Sequence, residues 1–294
     1  MNTFPTIYRT LKTTITQIFH VLKLKEREHS KGRKPTLSNI EATTCAIFKQ
    51  KQNIATVKSL WEILEPSLSY YQKFVDAINR AAPYLVRIIA AIISLARKDP
   101  HLVKFTDAAD VPVCLPKNGK HHKTMQGLAA WSKTGKGSFF GLKLHLSADL
   151  DGRVLALRFT PGNSDDRAIF KKMNAKLKGL FVADAGYVSN QLERDFFIEH
   201  ERMLITATRK HMKKATTPIH SMLLNLRMRV EIHFRILKRC SGLVTSFPRS
   251  IDGCLTHYLS SIVAYLVVQS FVFHSMVSSV CSRSSFFVLS VFPS

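Results

Sequence analysis

Acidic residues are scarce in this chain: its 294 residues carry 20 Asp and Glu against 43 Lys and Arg, a formal charge of +23. That imbalance is extreme for an ordinary metabolic enzyme and implies a polyanionic partner, for which nucleic acid or an anionic membrane surface would each serve. Cysteine is sparse as well. Cys45, Cys114, Cys240, Cys254 and Cys281 include no Cys-x-x-Cys pair, and an odd number in a long chain speaks against a disulfide framework or a zinc module and for a reducing cytosol. The opening residues contain no uninterrupted apolar core of signal-peptide length, so no secretory signal is expected. No convincing Ser or Cys triad is present. Between residues 253 and 282 there is no Asp, Glu, Lys or Arg, a run longer than the roughly 20 residues that span a bilayer, although Gln269, His274 and many serines dilute it.

What is present divides near Pro100. Before it the spacing is helical. Ile7, Leu11, Ile15, Ile18 or Phe19, and Leu22 recur every three to four residues and predict an amphipathic helix over residues 6–24. Residues 23–35 are basic and helix-breaking, a linker or a phosphate-contacting arm. Ser38-Asn39-Ile40-Glu41 has the form of a capping box, the serine accepting from the backbone and the glutamate reaching back, ahead of a helix through Ala46, Ile47 and Phe48. Short helices follow at 57–64, 70–78 and 84–96, the last apolar on nearly all sides and therefore buried. Short helices beside basic connectors suit a DNA-binding module; a small bundle that never meets DNA has the same pattern.

After Pro100 strands begin. Residues 103–107 read as a strand ending on Asp107, followed by a loop rich in Lys, His and Gly over 117–137. Residues 139–148 and 153–160 flank Asp149-Leu150-Asp151-Gly152 as a hairpin, which makes Asp149 and Asp151 turn acids. Asp165 and Asp166 fall on the first turn of a helix, where the helix dipole favours them. From 179 to 190 an apolar run ends on Asp184. Its consecutive apolar residues predict a buried strand, with Gly186 allowing a sharp turn, and the open end of such strands is where α/β proteins place chemistry. The competing reading is that Asp184 caps the next helix. A helix over 188–199 and a strand over 203–207 come next, then a basic loop at 209–214. Thr217-Pro218 starts a helix running to Arg239, with Leu223, Leu226, Val230, Phe234 and Leu237 as its core stripe. Arg227, Glu231, Arg235 and Lys238 share another side, which taken alone reads as a solvated face with ion pairs.

Read as elements, residues 103–239 are three strands, then helix, strand, helix, strand, helix, the order of ribonuclease H. Asp107, Asp184 and Glu231 then occupy the places where convergent carboxylates meet, the oxygen ligands that hard cations need. The chain resembles the DDE transposases of bacterial insertion sequences, most closely the group named insertion sequence nine-eight-two. The resemblance spans roughly residues 31–267. Asp107 with Val111-Pro112-Val113-Cys114, His122-Lys123, Phe139-Phe140-Gly141-Leu142-Lys143-Leu144-His145, Thr160-Pro161-Gly162-Asn163 with Asp165-Asp166-Arg167, Asp184-Ala185-Gly186-Tyr187, and Arg227 with Glu231 and Lys238 carry it. Ala108, Ala109 and Asp110 depart from the small hydroxyl residues and proline common there, and Leu224 from a tyrosine.

The resemblance implies an α/β, ribonuclease H-like mixed-sheet catalytic domain over residues 101–268, preceded by a helical, DNA-binding region over 1–100; the apolar, serine-rich tail over 269–294 departs from the short polar end expected of the family. It implies Asp107, Asp184 and Glu231 as a catalytic triad for Mg²⁺ or Mn²⁺, two ions about 4 Å apart flanking a phosphodiester. Arg227, Lys238 and Lys123 would contact DNA. The partners would be double-stranded DNA, as terminal inverted repeats and as target, and further copies of the chain; the place would be the bacterial cytoplasm at the nucleoid. The histidines His121, His122 and His145 are DNA or metal ligands at most secondarily, and more simply hydrogen-bonding residues. Two other functions share these features: a DNA-binding protein that has lost catalysis, and, from the uncharged run, a membrane-anchored protein. The residues to about Val268, with Ile262, Val263, Leu266 and Val267 at helical spacing, are expected to close the catalytic core as a helix.

Overall fold

The capping box at Ser38 is closed from both sides in the computed structural model: Glu41 N donates to Ser38 Oγ at 3.1 Å and Ser38 N to Glu41 Oε2 at 3.0 Å. The structure describes residues 4–25, 37–64, 70–135, 137–200, 202–207, 217–244 and 248–268. The N-terminal region is helical: α1 (Phe4–Val21), α2 (Asn39–Lys51), α3 (Val57–Ile63), α4 (Tyr71–Asn79) and α5 (Ala82–Ala96). Helix α1 buries Leu11, Ile15, Ile18 and Phe19, the stripe its sequence predicts, against α2. Most of the basic connector at 23–35 lies outside the described residues, as do the basic loop at 209–214 and the tail from 269.

The sheet follows as β1 (Val103–Pro112), β2 (Ala130–Thr134), β3 (Gly137–Asp149), β4 (Val154–Pro161), β5 (Leu180–Ala183) and β6 (Met203–Thr206). Strand β3 pairs antiparallel with β1, β2 and β4, while β5 runs parallel to β1 and β6 parallel to β5. Four antiparallel strands extended by two parallel ones form a ribonuclease H-like mixed sheet, the one the element order predicts with β2 added to it. Between the strands lie α6 (Asp166–Met173) and α7 (Asn190–His200), and after β6 come α8 (Pro218–Leu226), α9 (Met228–Arg239) and α10 (Ile251–Val268). Phe170, Phe181 and Phe196 centre a core with α6 and α7. Phe105, Val182, Val230, Phe234 and Leu237 belong to a second core, which continues into the N-terminal helices.

The turn acids behave as read. Asp149 accepts from Arg153 N at 2.8 Å across the hairpin, whose Gly152 has φ +85°, and Asp165 caps α6. Several features differ from the sequence reading. Strand β1 does not stop at Asp107 but continues to Pro112, because β3 pairs with it as far as Gly141 and the small Ala108 and Ala109 do not prevent this. That crossing needs a glycine: a Cβ on Gly141 would lie 2.3 Å from Val111 O. A strand, β2, stands inside the Lys- and Gly-rich loop. Gly186 has open space around it, and the turn is a 3-10 turn over Ala185–Tyr187 that has no need of glycine. Helix α10 packs chiefly on α2 and α5, with Gln50 Nε2 at 2.8 Å from His257 Nδ1, and reaches the sheet through Tyr258 against Phe159 of β4.

The uncharged run from residue 253 is thus engaged, as far as its helix extends, in intramolecular packing, with Ile262, Val263 and Tyr265 all buried. Tyr71–Ala96 is long and apolar enough to cross a membrane by length and composition, but α5 buries Leu85, Ile88, Ile89, Ile92 and Ala96 in the protein core.

Candidate active site

Strand register brings the first two acids together. Val103 lies opposite Leu180 and Phe105 opposite Val182 in the parallel pairing of β1 with β5, and one further alternation along both strands sets Asp107 level with Asp184. Side chains alternate across a sheet, so both acids share the face of Phe105 and Val182, which is the face that carries α9. Helix α9 is seated by Val230, Phe234 and Leu237, all buried, and this leaves Glu231 on its flank beside the sheet. Asp184 makes no side-chain capping bond to the turn it precedes. The capping reading of this residue therefore fails locally, and its carboxylate is free for the site.

The three acids meet on one guanidinium. Arg227 Nη1 lies 3.4 Å from Asp107 Oδ2, and Arg227 Nη2 lies 3.1 Å from Glu231 Oε1 and 3.9 Å from Asp184 Oδ1. The side chain of Arg227 is 20 % exposed and that of Asp107 22 %, against 51 % for Asp184 and 39 % for Glu231. The cluster thus has an inner end at Asp107 and opens outward. Arg227 stands at a break the sequence did not announce: the helix expected to run unbroken to Arg239 is divided there, with Arg227 N donating to Leu224 O at 3.1 Å and Val230 N to Arg227 O at 3.0 Å.

Burial pushes the Asp107 carboxyl up to about 6, the neighbouring acids Asp184 and Glu231 adding to the shift, while the Ala108 N–H and Arg227 oppose it. The Ala108 N–H donates to Asp107 Oδ1 at 2.8 Å and fixes the carboxylate. Tyr187, in the same short motif as Asp184, buries its hydroxyl without a hydrogen-bond partner among the described residues, and burial followed by the charge of Asp107 raises its pKa. His145 is buried, pushed down to about 4 by desolvation, and its Nε2 lies 2.8 Å from Thr160 Oγ1. It is a neutral structural residue that ties β3 to β4.

Three carboxylates offer only hard oxygen donors, the set that Mg²⁺ or Mn²⁺ takes. They converge on one positive group, so the donor set fits a divalent cation, and what stands between them is the guanidinium. Among the described residues, no three Asp, Glu, His or Cys side chains are placed to share an ion as they stand.

The remaining predicted residues are placed apart from this point. Lys238, two turns beyond Glu231 on α9, donates to Asp110 Oδ1 of β1 at 2.9 Å. Lys123 is exposed in the turn before β2. The sequence alone does not single out Asp110 as the partner of Lys238, or Tyr187 as a buried neighbour of the acids. The first would have required knowing that β1 continues past Asp107; the second was visible only as part of the motif Asp184-Ala185-Gly186-Tyr187.

The profile of a family described as transposase DDE domain matches residues 97–251, which is more than half of the chain. No curated protein matches it. Among solved structures, the piggyBac transposase in a synaptic complex with hairpin DNA is similar over 93 % of this chain and 79 % of its own, at 9 % identity and a TM-score of 0.46. The Mos1 protein in a pre-cleavage transpososome is similar over 94 % and 88 %, at 14 % identity and a TM-score of 0.25.

Proposed function

This chain belongs to the transposase DDE domain family, and from that membership we propose that it cuts DNA strands at the ends of its own mobile element and joins the resulting 3′ hydroxyls to target DNA. The observation that carries this reading is the convergence of Asp107, Asp184 and Glu231 on one point at the outer end of the parallel strands. In this reading the three acids would hold two Mg²⁺ or Mn²⁺ ions, which when bound would stabilise charge on the attacking and leaving oxygens of a phosphodiester. Asp107, pinned by the Ala108 N–H, fixes the inner end of the cluster. Arg227 presents a planar fork suited to a phosphate, and Lys238 and Lys123 supply further positive charge along the strand. The bacterial insertion-sequence group nine-eight-two is the proposed origin, with the cytoplasm and nucleoid as the place of action.

Residues 1–100 are proposed to recognise the element ends and residues 101–268 to perform the chemistry, with two or more copies acting on one DNA complex. Net charge of +23 predicts many phosphate contacts, so affinity should fall steeply as salt rises. The test is cleavage, with Mg²⁺, of a duplex carrying the inverted repeats that flank the gene, beside a binding assay. Asp107→Ala, Asp184→Ala and Glu231→Ala should each abolish cutting and leave binding nearly intact. Cutting at the wild-type rate by any of the three would sink the assignment of that acid. Binding without cutting by the wild-type chain would point instead to a DNA-binding protein that has lost catalysis.

A further inference from the structure

We propose that Arg227 is a resident counter-cation of the acid cluster, one that yields its place to a divalent ion only when a DNA phosphate draws the guanidinium away. The inference rests on the catalytic reading of Asp107, Asp184 and Glu231 given above. Its basis is geometric. The two terminal nitrogens of Arg227 lie 3.1–3.9 Å from oxygens of all three acids, so the guanidinium claims the carboxylate oxygens that a compact divalent ion would need at about 2.1 Å. A divalent ion among the same three carboxylates would lie a few ångströms from the guanidinium, and repulsion between the two positive charges makes each weaken the binding of the other.

The position of Arg227 lets it leave. It sits at the joint between α8 and α9, where the helical hydrogen-bond pattern tightens, and its largely buried guanidinium extends from Asp107 at the inner end of the cluster to the more exposed Asp184 and Glu231. An arginine fork binds a phosphate through two parallel N–H bonds, as it does a carboxylate. A DNA strand entering beside Asp184 and Glu231, the outer and more exposed acids, therefore offers Arg227 an equivalent partner and releases the inner oxygens of Asp107. Cation and DNA then bind with positive coupling, and by linkage each strengthens the other by the same factor. A free protein would hold little metal, and the cation site would be completed on the substrate.

The experiment measures Mn²⁺ binding to the full chain from loss of the free-ion electron paramagnetic resonance signal, with and without a short DNA duplex whose own Mn²⁺ uptake is subtracted. Without DNA, Arg227→Gln should bind Mn²⁺ about tenfold tighter than wild type, a typical size for such coupling. Arg227→Lys, which keeps the charge, should stay near wild type. Adding Asp107→Asn to Arg227→Gln should remove the gain, which identifies the acids as the site. The duplex should tighten Mn²⁺ binding to wild type about tenfold and leave Arg227→Gln nearly unchanged. If Arg227→Gln binds Mn²⁺ no better than wild type, while both lose it on Asp107→Asn, the counter-cation role is overturned and the catalytic reading stands. If no Mn²⁺ binding depends on Asp107 even with the duplex present, both are overturned.

Discussion

Lys238 Nζ lies 2.9 Å from Asp110 Oδ1, a bond that ties the last turn of α9 to the half of β1 beyond Asp107. Both side chains are partly exposed, so the pair contributes little to stability, but the carboxylate offsets part of the charge that Lys238 can offer a phosphate. Asp110→Asn should free that charge. The expected outcome is tighter DNA binding at low salt and a logarithmic salt dependence steeper by about one phosphate contact. Lys238→Met should lower the salt slope in the wild-type background and lower it further in the Asp110→Asn background. Titrations of both variants at several salt concentrations check this.

Asp107 should cost the fold stability at neutral pH. Its folded pKa of about 6 lies above the ordinary value of 3.8, so the native state binds the proton more tightly than the unfolded chain does. The stability this gives is fully present below about pH 4 and is lost as pH rises through about 6. In the absence of divalent ions, Asp107→Asn should therefore be more stable than wild type at pH 7 to 8 by about 1–3 kcal/mol, with the difference vanishing near pH 4. Denaturant melts across that range decide it, and equal stability at every pH would refute the burial argument for this acid.

Much of the site could be read from the sequence because local patterns specify it. The apolar run ending on Asp184 and the four-residue spacing of Arg227 and Glu231 need only one element each. The meeting of Arg227 with Asp107 does not: it depends on the register of β1 with β5 and on the seating of α9, both set by contacts distant in sequence. The continuation of β1 was hidden because Ala108, Ala109 and Asp110 have weak strand preference, and pairing with β3 overrides it. The helix break at Arg227 leaves no mark in residue type, since Asn225, Leu226 and Met228 contain no glycine or proline. Likewise, the apolar residues of α10 announce burial but not that α2 and α5 are what they bury against.

Lys49 gives a prediction of opposite sign to Asp107. Its ammonium is buried in α2 without a hydrogen-bond partner among the described residues, and desolvation pushes it down to about 8 from an ordinary 10.5. The native state then holds this proton less tightly than the unfolded chain, so stability rises as pH climbs from about 8 to above 10. At pH 7 the buried charge costs roughly 3 kcal/mol. Lys49→Met, of similar length and without the charge, should raise the melting temperature at pH 7 and flatten the rise of stability above pH 8. A lowered melting temperature at pH 7 would show that the ammonium has a stabilising partner.

Helix α10 joins the two parts of the molecule, and the chain should fail in a position-dependent way when it is shortened. His257 receives Gln50 of α2 at 2.8 Å, Tyr258 meets Phe159 of β4 with ring centroids 5.7 Å apart, and Thr256 Oγ1 donates to Asn79 O at 3.0 Å. Beyond these, Ile262, Val263 and Tyr265 are each at most 2 % exposed. Removing large buried side chains costs several kcal/mol apiece, which together approach the 5–15 kcal/mol of a whole domain. Cutting before His257 should therefore give aggregated protein and lose DNA binding. A cut after Val268 removes none of these contacts, and the shortened protein should stay folded and retain its affinity for DNA. Fractionation of the full-length chain is the companion measurement: retention in membranes after high-salt and carbonate washing would show that the uncharged run enters the bilayer and that the packing of α10 on α2 and α5 is not its state in the cell.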